Sequence, residues 1–371
     1  MIGLAPMEGV TDFPFRRWLS LCSKADFHST PFLRVTHTFP INNIPEDFAP
    51  ELTDPIYKEK LNTPLVLQVM GPSPDRIVET GKLIHKYTNS FDINFGCPAP
   101  TVVGRGSGSA LLQDAKEFKN FLSQVHEKLP NNSFSIKIRT GYENTENFEK
   151  IIEAIKPLEL TRLTIHGRTK VQKYSGLADW SLIEQAARTL NFPVFGSGDI
   201  QNFNSYNERL NTAPSVSGVI IGRAVQKNPW IFSTIRNDKN ISLSLKTILY
   251  ASITYGLFIQ IFYGEGFKKF KETDIANGII ESALSSESNW KDYLCSFAKS
   301  ALGTDDIYNL PIERRALSRI KMIWTHLKDS MPENFNDRAL LRAATINDFI
   351  KTFENKESEY IKETGSNQIL F

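Results

Sequence analysis

Between Met1 and Phe232, short apolar runs alternate with amphipathic stretches, and the pair recurs about eight times, the number a closed barrel requires. The strand-like runs are Ile2–Ala5, one near Ala25–Ser29, Leu65–Val69, Phe91–Asn94, Phe134–Ile138, Arg162–Ile165, Val194–Phe195 and Val219–Ile221. Helical spacing marks Pro74–Lys86, Ala115–Lys128, Thr145–Ile155 and Trp180–Thr189 between them. Such alternation implies parallel strands joined by crossover helices. Periodicity alone does not separate a (β/α)8 TIM barrel from an open doubly wound sheet, but the repeat number favours the barrel. Beyond Phe232 the strand signal fades, and Ile241–Phe262, Ile279–Ser300, Ile312–Lys328 and Ala339–Phe353 read as helices. The expected organisation is a barrel over 1–235, a C-terminal α-helical domain over 236–355 and a polar, flexible tail over 356–371.

At 371 residues the chain exceeds one small domain, and a net charge of +2 neither requires nor excludes a nucleic-acid partner. Three cysteines, Cys22, Cys97 and Cys295, are scattered and lack metal spacing. No disulfide framework or metal site is expected, and a reducing cytoplasm fits. The opening Met1-Ile2-Gly3-Leu4-Ala5-Pro6 reads as a strand rather than a signal peptide. Thr247–Gly264 is free of charge and approaches membrane-spanning length. Ser252, Thr254, Tyr255 and Gln260 interrupt it, so a buried helix is expected, with no membrane partner.

In a parallel barrel the site forms at the C-terminal ends of the strands. Polar residues recur there. Asp92-Ile93-Asn94-Phe95-Gly96-Cys97-Pro98 puts Asp92 and Asn94 on one strand face and Cys97 on the loop beyond. Gln68 precedes Met70-Gly71, and Ser135, Lys137 and Arg139 share a face opposite Ile136 and Ile138. Leu163-Thr164-Ile165-His166-Gly167-Arg168 ends in His166 and Arg168. The turns Ser197-Gly198-Asp199 and Gly222-Arg223 are glycine-rich and suit an anion, since backbone N–H groups approach it closely.

Each residue has a plainer reading: a satisfied structural histidine, a small buried cysteine, a tight turn. Their joint placement at consecutive strand ends is what favours function. Gly104-Arg105-Gly106-Ser107-Gly108-Ser109 does not open directly from a strand and lacks the acidic residue of a dinucleotide fingerprint, so a mobile loop beside the site is expected.

With these residues in place, the chain resembles the tRNA-dihydrouridine synthases from its first strand to about Asn347. The likeness rests on Ala5-Pro6-Met7-Glu8-Gly9-Val10-Thr11-Asp12, Asn94-Phe95-Gly96-Cys97-Pro98, Gly108-Ser109-Ala110-Leu111-Leu112, Lys137-Ile138-Arg139, His166-Gly167-Arg168-Thr169 and Gly222-Arg223. The resemblance implies a TIM barrel holding FMN, followed by a helical tRNA-binding domain. It implies FMN contacts from Pro6, Met7, Glu8, Gln68, Lys137 and His166. Ser197, Gly198, Asp199, Gly222 and Arg223 would hold the cofactor's phosphate. Cys97 would be the general acid, and Asn94, Arg139 and Arg168 would meet the target base or nearby phosphates.

Within the family, Met7-Glu8-Gly9-Val10, Phe32-Leu33-Arg34-Val35, Arg168-Thr169-Lys170-Val171-Gln172-Lys173-Tyr174 and Arg319-Ile320-Lys321 resemble bacterial enzymes acting on uridine 16. Arg34, Arg319 and Lys321 would then hold the tRNA. The implied reaction is FMN-dependent reduction of a D-loop uridine to 5,6-dihydrouridine, with NADPH or NADH as reductant and the monomer sufficient. The alternatives are another D-loop position or an FMN barrel reductase of a small pyrimidine. Ser197 stands where the family commonly has Asn, Ala99-Pro100-Thr101 lacks a basic residue, and the segment 233–318 is longer than in typical uridine-16 enzymes. On a helical projection of Ile312–Lys328, Leu317, Ile320, Ile323, Trp324 and Leu327 form one face. Arg314, Arg315, Arg319, Lys321 and Lys328 cover the other, a basic face that suits phosphate contacts but, without the barrel motifs, reads more simply as a solvated helix surface.

Overall fold

The structure, a computed structural model, describes residues 1–36, 42–279, 283–284, 286–327, 331, 335 and 338–371. Lys328, and residues 280–282 and 285 of the expected helix from Ile279, lie outside the described residues. The chain forms two compact units. The first comprises Met1–Phe13, Ala25–Ile200 and Asn204–Gly222; the second comprises Pro14–Lys24, Gln201–Phe203 and Arg223–Phe371. The boundary expected at 235 falls inside the second unit's long run from Arg223.

Eight parallel strands build the first unit: β1 (Ile2–Leu4), β2 (His28–Arg34), β3 (Leu65–Met70), β4 (Phe91–Asn94), β5 (Phe134–Arg139), β6 (Leu163–His166), β7 (Val194–Ser197) and β8 (Gly218–Ile221). Each pairs with its sequence neighbour, and β8 pairs with β1. A bridge between Gly3 and Phe27 joins the remaining edges, with Leu4 N donating to Phe27 O at 2.9 Å. The sheet therefore closes as a barrel, which removes its edges. Gly3 is required at this seam: a Cβ there would lie 2.2 Å from the Phe27 ring. The second strand starts at His28 rather than Ala25, and its register shifts between Ser29 and Phe32, around Pro31, which has no N–H to give the ladder.

Alternation along β4 and β5 decides what faces the barrel interior. Ile93, Ile136 and Ile138 are buried. Asp92, Asn94, Ser135 and Lys137 take the opposite face. The register sets Gln68 beside Asp92, Asn94 beside Lys137, Arg139 beside His166, and His166 beside Ser197. These polar residues thus follow one another around the strand ends. Arg162, at the start of the sixth strand, lies with Cζ 4.6 Å from the Phe27 ring centroid and 5.2 Å from that of Phe195, a cation held between two aromatic faces.

The second unit is mostly helical. Leu245–Gln260 is its central helix, and every residue in it but Lys246 is buried. The stretch Leu245–Glu265 is long and apolar enough to cross a membrane, but 89% of its most apolar window is buried inside the protein. Trp18 donates its indole N–H to Ala251 O at 2.8 Å, and Phe258 packs on Phe270 and Phe297. Gly256 lets the helix Arg314–Leu327 approach, because a Cβ there would meet Ile320 at 2.5 Å. A buried ion pair, Arg17 with Asp274 at 2.9 and 3.0 Å, crosses this core. Ser242–Ser244, expected as the start of a helix, is a strand, β9.

The tail read as flexible over 356–371 is structured instead. The helix Ile346–Thr364 runs through its first half and ends on Gly365 in the left-handed region. Gln368–Leu370 then forms β10, antiparallel to β9, and the Phe371 ring centroid lies 5.1 Å from that of Trp230. The apolar Ile369 and Phe371 are buried here, which the polar composition of the preceding residues conceals.

Candidate active site

A chain of four buried polar side chains runs across β3, β4 and β5 to the Cys97 loop. Ser135 Oγ donates to Asp92 Oδ1 at 2.5 Å, and Gln68 Nε2 donates to Asp92 Oδ2 at 2.6 Å. Asn94 Nδ2 donates to Gln68 Oε1 at 2.8 Å. Asn94 Oδ1 then accepts from the backbone N–H of Gly96 and of Cys97, each at 2.9 Å. The carboxylate is an acceptor only, so it fixes the Gln68 amide, which fixes the Asn94 amide. Asn94 is thereby turned to cap the loop that carries the thiol. Ser109 donates N–H and Oγ–H to Cys97 O at 3.2 and 2.8 Å and holds the loop from its far side.

Burial raises the Cys97 thiol above its ordinary value; the Ala99 N–H opposes this, Glu8 adds to it, and Arg139 and Arg34 oppose it more weakly. The group is therefore a protonated thiol near neutral pH. Lys137, partly buried on the neighbouring strand, is pulled down to about 8, chiefly by burial and next by Arg139, against Asp92 and Cys97. Its ammonium has no ion-pair partner among the described residues.

Two arginines expected to meet the base or phosphates are engaged by the protein. Arg139 donates Nε–H to Gly96 O at 2.7 Å and NH1 to the carbonyls of Thr169 and Lys173 at 2.9 and 3.0 Å. Arg168 pairs with Asp199 at 2.6 Å and donates to the Gly176 and Ser175 carbonyls. Both are about 2% exposed, and a buried guanidinium needs such partners. Their place is to hold the Cys97 loop and the segment after β6. The Asp199 carboxylate also accepts from Ala178 N at 2.6 Å. It is therefore unavailable, and of the wrong sign, for a phosphate. Gln68 and Asn94 likewise serve the relay to the loop.

The turn after β7 is sterically exacting. Gly196 sits under Trp180, where a Cβ would come within 2.2 Å of the indole. Gly198 has φ +123°, and a Cβ there would meet Ala178 at 2.6 Å and His166 at 3.2 Å. Gly222 differs: a Cβ would find Ala5 at 3.6 Å and Met7 Sδ at 3.7 Å, so the protein's own packing does not demand glycine. Open backbone beside Met7 is what a bound group would use. Thr11 pins the Pro6–Met7 turn, accepting from Met7 N at 3.0 Å and donating to Met7 O at 3.1 Å. Glu8 lies 3.9 Å from Arg34, an exposed and weak pair. Arg223 begins the second unit's long run and precedes the single helical turn Ala224–Lys227.

In the helical unit, Leu317, Ile320, Ile323, Trp324 and Leu327 are buried. Arg314, Arg315, Arg319 and Ser318 line an open hollow of about 650 Å³. The Arg315 guanidinium lies 4.5 Å from the ring centroid of exposed Tyr263, a neighbour concealed in the sequence by the apolar run around it. Lys321 is not part of this surface. Its Nζ donates to Ala343 O at 2.5 Å, just beyond the end of the helix Arg338–Arg342, where a cation satisfies a terminal carbonyl.

Sequence reasoning placed Asp92 and Ser135 on the interior face but gave them no task. Their signal was two polar residues at facing positions on adjacent strands. The run 104–109, expected as a mobile loop, is a turn that follows the helical turn Pro100–Val103 and enters the 3-10 helix Gly108–Gln113.

Comparison with known proteins agrees with this geometry. The family model described as dihydrouridine synthase matches residues 3–294. The chain is 33% identical over 238 residues to a probable tRNA-dihydrouridine synthase of Rickettsia conorii, covering 62% of this chain and 68% of that one. It is 31% identical to a tRNA-dihydrouridine(47) synthase of Coprinopsis cinerea, covering 65% and 37%. It is 29% identical to the tRNA-dihydrouridine(16) synthase of Neisseria meningitidis, covering 64% and 71%. A closed eight-stranded barrel, a thiol loop held at its strand ends and a match over most of the chain lead to one assignment: the protein belongs to the dihydrouridine synthase family of flavin-dependent oxidoreductases.

Proposed function

We propose that this protein reduces a uridine of tRNA to 5,6-dihydrouridine, at position 16 of the D-loop, with FMN as cofactor and NADPH or NADH as reductant. The observation that carries the reading is the Cys97 loop, capped by Asn94 through a buried relay and set at the strand ends with Lys137. The residues present fit FMN. Lys137 offers a half-buried cation, Gly222 an uncovered backbone beside Met7, and Ser197–Gly198 a tight turn. Pro6, Met7, Glu8, Lys137 and His166 would hold the ring system, with Gln68 in the layer supporting it. Ser197, Gly198, Gly222 and Arg223 would hold the phosphate through N–H groups and one guanidinium.

Bound FMN would supply the hydride chemistry between the nicotinamide reductant and uracil C6. The protein's own task is the proton. Reduction across C5=C6 places negative charge at C5, and the Cys97 Sγ–H, kept protonated by burial, donates there and becomes a thiolate. Solvent then restores the thiol. Lys137 would face the cofactor as a fixed cation and would stabilise negative charge there. The target uridine must leave the tRNA stack to reach a site at strand ends. Arg34 and Arg319 serve the RNA, whereas Arg139 and Arg168 act on loop geometry.

Purified protein incubated with FMN, NADPH and unmodified tRNA tests the reading by mass spectrometric mapping of dihydrouridine. Two hydrogens gained at uridine 16 are expected. Gain at another position, such as 47, keeps the chemistry and moves the target. Reduction of a free pyrimidine with none of tRNA would replace the reading with that of a small-molecule reductase.

A further inference from the structure

A cavity of about 330 Å³ opens between the ends of β2 and β3 and the segment that follows Cys97. Arg34 and Met70, the last residues of those strands, form one wall; Thr101, Val102, Arg105 and Ser107 form the other. Every lining residue belongs to the barrel unit. The chemistry of the walls is specific. Two guanidinium groups face one space. Among the described residues, Arg34 has the exposed Glu8 at 3.9 Å as its ion-pair partner and lies 6.0 Å from the Phe32 ring centroid, and Arg105 has no ion pair or side-chain hydrogen bond. Ser107 is a buried residue whose hydroxyl has no partner among the described residues. Met70 and Val102 add an apolar surface. Two cations, the Ser107 hydroxyl and an apolar wall together match a phosphate ester carrying a sugar and a base.

The cavity also adjoins the reacting group. Gly108, next to Ser107, has φ +59°, and a Cβ there would stand 3.0 Å from Val102 Cγ1 and 3.2 Å from Cys97 Cβ. The cavity wall and the Cys97 loop therefore share one packing layer.

We propose that this cavity seats the nucleotide adjoining the target uridine in the RNA, its phosphodiester lying between Arg34 and Arg105. The inference rests on the tRNA reading above and adds Arg105, to which the sequence analysis gave no role. It also gives the chain a cation on this loop despite the missing basic residue at Ala99-Pro100-Thr101. The other source of the same chemistry is a phosphate of the nicotinamide reductant. RNA is favoured because a chain already threaded to Cys97 must leave its neighbouring phosphates beside that loop.

The test uses full-length Arg105→Ala and Arg105→Lys with FMN bound. Binding of an unmodified tRNA transcript is measured across a salt series, and flavin reduction by NADPH is measured separately. For Arg105→Ala, tRNA affinity should fall about tenfold, the worth of one charge-assisted contact. The slope of log affinity against log salt should flatten by about one contact, while Arg105→Lys keeps the wild-type slope. The NADPH concentration dependence should not move. Unchanged tRNA affinity and slope in Arg105→Ala would overturn the proposal. So would an Arg105→Ala defect confined to NADPH, which would assign the cavity to the reductant. A wild-type protein that forms no dihydrouridine sinks the functional reading itself. An active wild type with an indifferent Arg105→Ala sinks only the subsite.

Discussion

Arg139 and Arg168 in the barrel unit are each about 2% exposed and donate to backbone carbonyls, whereas Arg314, Arg315 and Arg319 in the helical unit line an open hollow. The same side chain does two kinds of work. In the barrel it fixes loops around a thiol, and the charge of Arg168 is balanced locally by Asp199. On the helix it has an apolar anchor beneath and solvent above, leaving charge available to a polyanion. Arginine count near a site therefore says little about RNA binding until the partners of each guanidinium are known.

The largest expected effect breaks this comparison if it fails. Arg168→Ala leaves Asp199 with a side chain only 13% exposed and no counter-charge, and should cost about 3–5 kcal/mol of stability by chemical denaturation. A change below that of a surface substitution would mean Arg168 is not structural.

Next come the two basic residues of the Arg314–Leu327 helix, which the structure separates. Lys321→Ala loses its bond to Ala343 O and should cost about 1 kcal/mol, with no change in the salt dependence of tRNA binding. Arg319→Ala should stay within about 0.5 kcal/mol in stability yet flatten that salt dependence by about one phosphate contact. Reversal of the two results would restore Lys321 to the RNA surface.

The last expectation is a pH dependence, at Lys137 in the cofactor-free protein. Its folded value near 8 lies below the unfolded value of 10.5, so between them the unfolded chain holds more protons. Stability of wild type relative to Lys137→Met should rise with pH through that window. A flat difference curve would show that Lys137 is not held in a desolvated position.

Much of this was legible because barrels expose their chemistry at strand ends. Asp92, Asn94, Lys137 and His166 alternate with apolar residues, so a period of two put them on one face, and parallel pairing aligned them. The buried stripe of the Arg314–Leu327 helix followed from a period of 3.6 for the same reason. What periodicity does not carry is the direction of a donor. Arg139, Arg168 and Lys321 read as free cations until their carbonyl partners, outside their own strands and helix, were in place. The strand Gln368–Leu370 was hidden likewise, because its partner lies at Ser242–Ser244.

The central claim is that the relay from Asp92 through Gln68 and Asn94 presents the Cys97 thiol as the proton donor to uracil. It is tested most directly by following both half-reactions of Cys97→Ala with FMN bound. Flavin reduction by NADPH should proceed at the wild-type rate, because that step uses no protein thiol. Dihydrouridine formation on tRNA from the reduced enzyme should fall by roughly 10²–10⁴-fold, the usual worth of a positioned general acid. Dihydrouridine formed at the wild-type rate by Cys97→Ala would contradict the account.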